Sequence, residues 1–461
     1  MARPRKNAAK VQGSLLAPDE VAEIPVEEQP YPLPEGWKWV RLGDITEIVG
    51  GGTPSSRVKE YYDNGNIPWL SPADLSDYHE IYICRGKKML TVKGLNSSSA
   101  RMIPAETVCL SSRAPIGYVV IAKNPLCTNQ GFKSFLPSHL YIPKFLYWYL
   151  KGNKPLLESY ASGTTFLELS GAKAAQIEFP LPPLGEQQRI VDRIESLFAK
   201  LDEAKAKAEA VLDGFEIRKA AILHKAFTGE LTAKWRDERG VDMKSWEYVK
   251  LFTVSRLQTG IMKGKKYIKE TQKMPYLRVA NVQDGYFDLN EIKEIDLPID
   301  DMNRYLLRKG DVLFTEGGDF DKLGRGAVWN EEIFPCTHQN HIFVVRTDAK
   351  RLVPKFLSLQ ARSQYGKQYF LHCSKQTTNL ASINSTQLKN FPLILPSVAE
   401  QQELVHILDN LLAKEQQAKE AAETVLHQLK LMKKTILARA FRGELRTHGS
   451  ARETLQNNGS M

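Results

Sequence analysis

The sequence lacks the features of a membrane, secreted or metal-binding protein. None of its apolar runs approaches the roughly 18 residues that a membrane span needs, and no hydrophobic leader follows the start. The cysteines are few, widely spaced and without a CxxC pair, so neither a disulfide framework nor a zinc site is expected. We therefore expect a cytoplasmic protein with five reduced thiols. These are Cys84, Cys109, Cys127, Cys336 and Cys373.

Sequence motifs of common catalytic sites are also missing. Residues 260–266 have neither the spacing of a phosphate-binding P-loop nor a hydroxyl residue after the lysine. There is no Asn- or Asp-Pro-Pro-Tyr/Phe segment and no glycine-rich loop for S-adenosylmethionine, which argues against an adenine-methylating site. His338 and His341 are three residues apart but have no acidic or cysteine cluster beside them in sequence. The sequence thus predicts no catalytic, cofactor or metal site in this chain.

The most informative feature that is present is an internal repeat. Residues 226–231 (AFTGEL) recur as 440–445 (AFRGEL), and at the same offset of 214 residues the EQQ triplet at 186–188 recurs at 400–402. Earlier landmarks recur at slightly smaller offsets. Among them, residues 68–70 match 275–277, and residues 127–130 (CTNQ) match 336–339 (CTHQ). A repeat of this length predicts a duplicated domain pair rather than a solenoid, whose units have 20–50 residues.

Each copy consists of a block of mixed pattern followed by a long helical segment. In the helical segments apolar residues recur in alternating steps of four and three, a heptad pattern typical of coiled coils. We expect one continuous helix from Glu186 to Phe227 and one in the partner segment, paired as an antiparallel or pseudo-twofold coiled coil. The alternative is that each helix packs on its own block as ordinary core. The seam residues are Ile190, Ile194, Leu197, Leu201, Val211 and Phe215, and then Leu404, Leu408, Leu411, Val425, Leu429, Met432 and Ile436.

The two blocks have the patterns of mixed α/β domains. Strands are predicted at residues 108–110, 118–121, 312–314 and 342–345, and short helices at 145–150 and 356–360. The fold class is therefore α+β. The expected divisions are a flexible extension (1–34), a first block (35–180), a helix with linker (181–245), a second block (246–390), a second helix (391–446) and a flexible tail (447–461).

The formal net charge of +10 is concentrated in the blocks. The stretches 37–180 and 246–390 carry net charges of +5 and +6, whereas 181–245 is neutral and 391–461 carries +1. Two basic modules joined by nearly neutral helices suggest a bipartite grip on a polyanion. A diffuse surface charge would give the same totals.

Polar loops with many hydrogen-bond donors occur at equivalent positions of the two blocks. Arg and Lys can bind guanine, Asn and Gln can bind adenine, and Ser or Thr can bind phosphates or base edges. For any one residue, a role in a turn or a cap is an equally good interpretation. The candidates are Arg57, Lys59, Ser112, Arg113, Thr128, Asn129, Gln130, Thr164 and Thr165, and then Lys263, Lys265, Lys266, Arg278, Asn281, Arg325, His338, Gln339, Asn340, Thr377 and Thr378.

Taken together, these motifs resemble those of the specificity (S) subunits of type I restriction–modification enzymes. The resemblance covers about residues 33–446, in the family's order of recognition domain, helix, recognition domain and helix. It is carried by LPEGW (33–37), GLNSSSA (94–100), SGTT (162–165), PLPPLGEQQRIV (180–191) and the two endings at 226–231 and 440–445.

The resemblance implies a non-catalytic subunit that reads double-stranded DNA. Each block would be a target-recognition domain for one half of a bipartite, asymmetric site. The helices, packed as an antiparallel coiled coil with internal pseudo-twofold symmetry, would set the spacing and dock two methyltransferase (M) subunits. Restriction (R) subunits would join them, and S-adenosylmethionine, ATP and Mg would bind those partners rather than this chain. The alternatives are a single-chain restriction–modification enzyme with fused catalytic activity and a coiled-coil scaffold.

Overall fold

The computed structural model describes residues 20–113, 115–163, 167–262, 270–318, 323–376 and 381–445. The chain forms two compact units, Met1–Lys207 with Val425–Met461 and Ala208–Thr424. No helix within the described ranges is long and apolar enough to cross a membrane. The predicted tail at 447–461 lies outside these ranges.

The first unit contains the first block and parts of two long helices. Its strands are β1 (Lys38–Arg41), β2 (Ile48–Gly50), β3 (Ile67–Leu70), β4 (Tyr82–Ile83), β5 (Met89–Leu90), β6 (Met102–Ile103), β7 (Val108–Ser112), β8 (Ile116–Ala122), β9 (Leu126–Thr128), β10 (Phe132–Phe135) and β11 (Glu178–Leu181). The helices up to the second block are α1 (Leu42–Ile45), α2 (Val92–Asn96), α3 (Pro143–Gly152), α4 (Lys154–Ser159), α5 (Gly171–Ala175), α6 (Leu184–Asp213), α7 (Phe215–Phe227) and α8 (Ala233–Asp237).

The second unit contains the second block and the remaining helical parts. Its strands are β12 (Glu247–Lys250), β13 (Ser255–Thr259), β14 (Thr271–Leu277), β15 (Lys293–Pro298), β16 (Val312–Thr315), β17 (Gly317–Gly318), β18 (Gly326–Val328), β19 (Thr337–His338), β20 (Ile342–Thr347), β21 (Lys375–Gln376), β22 (Ala381–Ser382) and β23 (Pro392–Leu395). The later helices are α9 (Met302–Tyr305), α10 (Pro354–Arg362), α11 (Gln364–Cys373), α12 (Ser385–Lys389) and α13 (Val398–Phe441).

The two blocks share one sheet topology. The order β2-β10-β7-β8 in the first block corresponds to β13-β20-β16-β18 in the second, and the first block has β4 as a fifth strand beside β8. Each block has a further sheet that contains one parallel pair of strands. This pair is β3 with β9 in the first block and β14 with β19 in the second. A short antiparallel ladder closes each block, β1 with β11 and β12 with β23. The predicted mixed α/β blocks and all six predicted elements are thereby confirmed.

Residues 20–34 are part of the folded first unit. Ile24 is buried, and its amide donates a hydrogen bond of 2.8 Å to the carbonyl of Trp39. The Trp39 indole donates to the carbonyl of Tyr31 (2.9 Å), whose hydroxyl donates to the carbonyl of Phe441 (3.1 Å). The expectation of a flexible extension is therefore wrong for this stretch. Its apolar residues complete the core without forming a periodic pattern of their own.

The first helical segment is two helices rather than the single helix predicted from the heptad pattern. The break falls at Gly214, between α6 and α7. The guanidinium of Arg218 donates a hydrogen bond of 2.9 Å to the carbonyl of Val211, a carbonyl that would be bonded within an uninterrupted helix. A Cβ atom at position 214 would lie 2.3 Å from Nη1 of Arg218, so the glycine makes room for that side chain.

The ends of the seam pack into the cores of the blocks. Ile190 and Ile194 of α6 belong to the first core together with Phe441 of α13, and Leu404 and Leu408 of α13 belong to the second core. Part of the alternative interpretation, in which the helices contribute to block cores, is thus confirmed.

The middle of the seam differs from the prediction. Leu197, Leu201, Val211, Phe215, Leu411 and Ile436 are half-buried and Leu429 is buried. Val425 and Met432 are 39% and 51% exposed. A straight helix drifts by about 20° per heptad relative to a strict seven-residue repeat, so an apolar repeat need not stay on the buried face.

A glutamine of the repeated EQQ triplet fastens each long helix to its block. Gln187 is fully buried, and its Nε2 donates to the carbonyls of Leu140 (3.0 Å) and Pro182 (2.9 Å). Its Oε1 accepts from the amide of Ile142 at 2.8 Å. Gln401 repeats this pattern in the second unit, donating to the carbonyls of Arg351 and Pro396 and accepting from the amide of Val353.

We expect Gln401→Leu to lower the free energy of unfolding by about 2–4 kcal/mol, because three buried main-chain groups would lose their partner. Gln402→Leu is the matched control, since Gln402 is exposed. We expect it to change stability by less than about 0.5 kcal/mol. Urea unfolding of the two variants measures the difference. Equal stabilities would contradict the fastening role of Gln401.

Candidate nucleic-acid interface

In the first block, loops from five parts of the chain meet at the ends of β3, β7 and β9. Main-chain hydrogen bonds of 2.7–2.9 Å hold them together. We call this set the first loop frame. Its bonds run from Gly52 N to Thr128 O, Asn129 N to Leu70 O, Ser112 N to Gly131 O and Leu169 N to Ser112 O.

The second block contains the same arrangement, the second loop frame. It joins the ends of β14, β16 and β19, again through bonds of 2.7–2.9 Å. Its bonds run from Ile261 N to His338 O, Gln339 N to Leu277 O, Glu316 N to His341 O and Ile383 N to Glu316 O. The duplication therefore extends to the individual hydrogen bonds of the loops.

The loop frames correct the residue equivalence drawn from the CTNQ and CTHQ motifs. Leu70 pairs with Thr128 in the first block, and Leu277 pairs with His338 in the second. Thr128 therefore corresponds to His338, one position later than the motif match implies. The sequence match aligns Cys127 with Cys336. The register of the strands is set instead by main-chain hydrogen bonds.

A glycine allows the close approach of two loops in each frame. A Cβ atom at Gly51 would lie 2.0 Å from the carbonyl oxygen of Thr128. One at Gly260 would lie 2.3 Å from the carbonyl oxygen of His338. Any larger residue would push these loops apart.

The first loop frame brings together five of the predicted contact residues. Ser112 and Thr128 are buried. The Oδ1 atom of Asn129 accepts a hydrogen bond of 2.9 Å from the amide of Gly131. Gln130 is exposed and accepts from the hydroxyl of Thr53. Arg113 is partly exposed.

Arg57 and Lys59 lie on a different part of the first block. Both are exposed. Lys59 lines a cleft with Lys87, Lys88 and Asp63. This cleft adds positive charge to the block, but it is distinct from the first loop frame.

The second loop frame holds His338, Gln339 and Asn340. His338 is fully buried, and neither ring nitrogen has a hydrogen-bond partner within the described part of the chain. Burial, helped by the positive charge of Arg346, lowers the pKa of His338 to about 3. The ring is therefore neutral and supports the loop from inside. Gln339 and Asn340 are half-buried at the surface.

Asn281, a predicted DNA contact, is buried and forms hydrogen bonds within its own turn. Its Oδ1 accepts from the amide of Arg278 (2.8 Å), and its Nδ2 donates to the carbonyls of Asp288 (2.8 Å) and Glu291 (3.0 Å). The turn-forming role left open for each candidate applies here.

Two arginines of the second block have partners within it. Arg278 is directed to Glu291, with an Nη2–Oε2 distance of 3.0 Å. Arg325 donates to Oε1 of Gln283 at 3.1 Å, and its main chain lies beside Thr315 at the end of β16. The remaining candidates, Thr164, Thr165, Lys263, Lys265, Lys266, Thr377 and Thr378, lie outside the described residues.

The sequence interpretation missed charged residues within both frames. Lys133 is nearly buried in β10, and its Nζ donates to Oγ of Ser112 at 3.3 Å. Burial lowers the pKa of this lysine. Glu168 pairs with Arg113 at 3.7 Å. In the second frame, Nδ1 of His341 contacts Oε2 of Glu316. A lysine between two phenylalanines in the segment 132–135 was the one available sequence signal.

The side chains of these sites offer hydrogen-bond donors and acceptors. Within the described ranges, no group of three or more His, Cys, Asp or Glu side chains is placed to hold a metal ion. The two frames thus present polar side chains from a hydrogen-bonded main chain.

Comparisons with known proteins agree with this arrangement. Residues 34–212 and 243–424 each match the family described as "Type I restriction modification DNA specificity domain". The chain is 32% identical to the type I restriction enzyme MjaIX specificity subunit of Methanocaldococcus jannaschii over 371 residues, 79% of this chain and 84% of that protein. It is 25% identical to the EcoKI specificity subunit of Escherichia coli K12 over 90% of each chain.

A solved structure has the same fold. The HsdS subunit from Thermoanaerobacter tengcongensis superimposes with a TM-score of 0.64 at 22% identity, covering 90% of this chain and 99% of that one. With two family matches that together cover most of its length, the chain belongs to the family of type I restriction–modification DNA specificity subunits.

Proposed function

We propose that each block of this chain is a target-recognition domain that binds one half of a bipartite, asymmetric DNA site. The observation that carries the proposal is the duplicated loop frame, which presents different side chains from the same main-chain arrangement. The net charges of +5 and +6 on the two blocks supply attraction for the phosphate backbone. The proposed domain limits are those drawn from the sequence, 35–180 and 246–390.

The exposed and half-buried polar residues are the proposed DNA contacts. In the first frame these are Arg113, Asn129 and Gln130, and in the second Gln339 and Asn340. The buried candidates Ser112, Thr128, Asn281 and His338 are better explained as supports that fix the loops. The basic cleft at Lys59 provides a further place for a phosphate.

We further propose that the helical segments 181–245 and 391–446 form an antiparallel coiled coil that sets the distance between the half-sites. Contacts inside each unit support this pairing. In the first unit Asp202 pairs with Lys433, and in the second Nε of Arg218 lies 2.7 Å from Oε2 of Glu415. Within the second unit, Nζ of Lys419 also lies 4.9 Å from the ring centre of Phe215, so the residue number falls in one helix as it rises in the other, which is the antiparallel sense. The pseudo-twofold symmetry is inferred from the repeat alone.

The helices are also the proposed docking surface for two methyltransferase subunits. In the first unit, α6 and α13 border an apolar groove of about 620 Å³. It is lined by Leu197, Leu431, Met432 and Ile436, of which Leu431 and Met432 are half exposed. Exposed apolar surface of this kind is typical of a protein interface. Restriction subunits would join that core, and S-adenosylmethionine, ATP and Mg would be bound by the partners.

The chain itself is proposed to be non-catalytic, which gives a direct test. The purified chain should transfer no methyl group to DNA, and the methyltransferase subunit alone should show no sequence preference. Together they should methylate adenine within a two-part motif. Methyl transfer by the isolated chain would favour the alternative of a fused enzyme. Complex formation without sequence-specific methylation would favour the alternative of a scaffold.

A further inference from the structure

The loop frames allow the charged residues of the two blocks to be compared position by position. Hydrogen bonding matches Ser112 with Glu316 and Gly131 with His341, since Ser112 N bonds to Gly131 O where Glu316 N bonds to His341 O. The bridge between Arg113 and Glu168 corresponds to the pair of Gly317 with Ser382. The strand registers match Lys133 with Phe343.

This comparison shows that the two frames carry different charged residues. The first frame has Arg113, Lys133 and Glu168 at these positions, a net charge of +1. The second frame has one carboxylate, Glu316, and a histidine, His341. Of the neighbouring described positions, Arg278 follows Leu277 where Ser71 follows Leu70, and its guanidinium pairs with Glu291. The carboxylate of Glu316 lies in this frame although the second block as a whole is the more basic of the two.

A carboxylate in a DNA-binding surface carries an electrostatic cost, because it approaches the phosphates. It is favourable where it accepts a hydrogen bond from a base. In the major groove the exocyclic amines, N4 of cytosine and N6 of adenine, are the donors that a carboxylate can bind. The Glu316 and His341 side chains are 35% and 52% exposed, so both are accessible.

We propose that Glu316 is a specificity-determining residue of the second recognition domain that accepts a hydrogen bond from the exocyclic amine of a base. His341 is the positioning residue of Glu316, because Nδ1 of His341 contacts Oε2 of Glu316 and thereby orients the carboxylate. Oε1 can accept the bond from the base, since an ionised carboxylate offers about four acceptor positions. The inference rests on the proposed function of the block.

The test is a map of methylated bases in a random-sequence plasmid library, made with the complete chain and its methyltransferase partner. We expect Glu316→Gln to weaken the preference at one base pair of the second half-site by on the order of ten- to a hundredfold. The first half-site and the gap should remain unchanged. His341→Gln should weaken the preference at the same base pair by a smaller factor. Whether that base is cytosine or adenine is read directly from the wild-type motif.

Glu294→Gln is the matched control, since Glu294 is exposed in β15 of the same block and forms none of the hydrogen bonds of the second loop frame. It should leave the motif as in the wild type. A Glu316→Gln variant with an unchanged motif would overturn the inference, whether or not its overall affinity or stability changed. Changes in both half-sites would overturn it as well. A wild-type complex without a bipartite motif would instead contradict the proposed function.

Discussion

Replacing Glu400 by alanine is expected to destabilise the second unit by about 3–5 kcal/mol. The carboxylate is fully buried. Its Oε1 accepts hydrogen bonds from Nη1 of Arg236 (2.6 Å) and Oγ1 of Thr232 (2.7 Å), and its Oε2 accepts from Nε1 of Trp246 (2.9 Å). Without it, the nearly buried guanidinium of Arg236 would lose its compensating charge.

The network links the beginning of α13 to the segment that follows α7. Arg236 lies in α8, and Nη2 of the same side chain donates to the carbonyl of Gly229 at 2.7 Å. One carboxylate thus fixes the chain that leads from the first helical segment into the second block. We expect Glu400→Ala to increase hydrogen exchange at α8 and at the first turns of α13.

Glu186 provides the matched control, because it is the same residue of the same repeated triplet. Its side chain is at the surface of the first unit, 21% exposed, and it pairs with Arg189 one turn later in α6. Surface pairs of this kind contribute about 0–1 kcal/mol. Glu186→Ala should therefore lower stability by about 1 kcal/mol or less. Calorimetry and hydrogen exchange on both variants measure the difference, and equal losses would contradict the account of the network.

The sequence predicted the architecture because the repeat and the hydrophobic patterns have direct structural counterparts. The strands β7 and β16 and the helices α3 and α10 occur where the patterns placed them. The division into two blocks with long helices also follows from residue spacing alone. The family matches then fall on the same two copies.

The details that the sequence did not predict depend on tertiary contacts. The identical triplets at 186–188 and 400–402 do not reveal that Glu400 is buried and Glu186 is not. The partners of Glu400 are Thr232 and Arg236, which follow the first helical segment and reach the second triplet only through the tertiary fold. The break at Gly214 depends on where the guanidinium of Arg218 binds. A glycine within a heptad pattern does not by itself indicate a break.

The recognition residues were the least predictable part. Polar residue type alone selected Asn281 and His338, which the structure places inside their loops. It passed over Lys133 and Glu316, because strand pairing rather than sequence proximity brings them to the frames. Candidate contacts could therefore be ranked only after the hydrogen-bond register of each block was known.

The second large effect is expected from exchanging a whole recognition domain. We predict that replacing residues 37–180 by the equivalent block of a relative changes one half of the methylated motif and leaves the other half and the gap intact. Preference for the original first half-site should fall on the order of a thousandfold, the usual margin between specific and non-specific DNA binding.

The structure offers a physical reason why such an exchange should fold. Each block has its own hydrophobic core and its own loop frame. Gln187 fastens α6 to main-chain atoms of the block, which any related block supplies. The side-chain contacts to preserve include the ion pair of Lys144 with Glu195 and the packing of Trp148 on Phe198. They also include the packing of Phe145 and Tyr149 on Phe441.

The most direct test of the account is therefore the map of methylated bases for the parent and exchanged chains, each with the same methyltransferase partner. The account predicts two motifs that differ in one half-site and share the other half-site and the gap. Two motifs that differ in both halves, or an exchange that leaves the motif unchanged, would contradict the claim that each block reads its own half of the site.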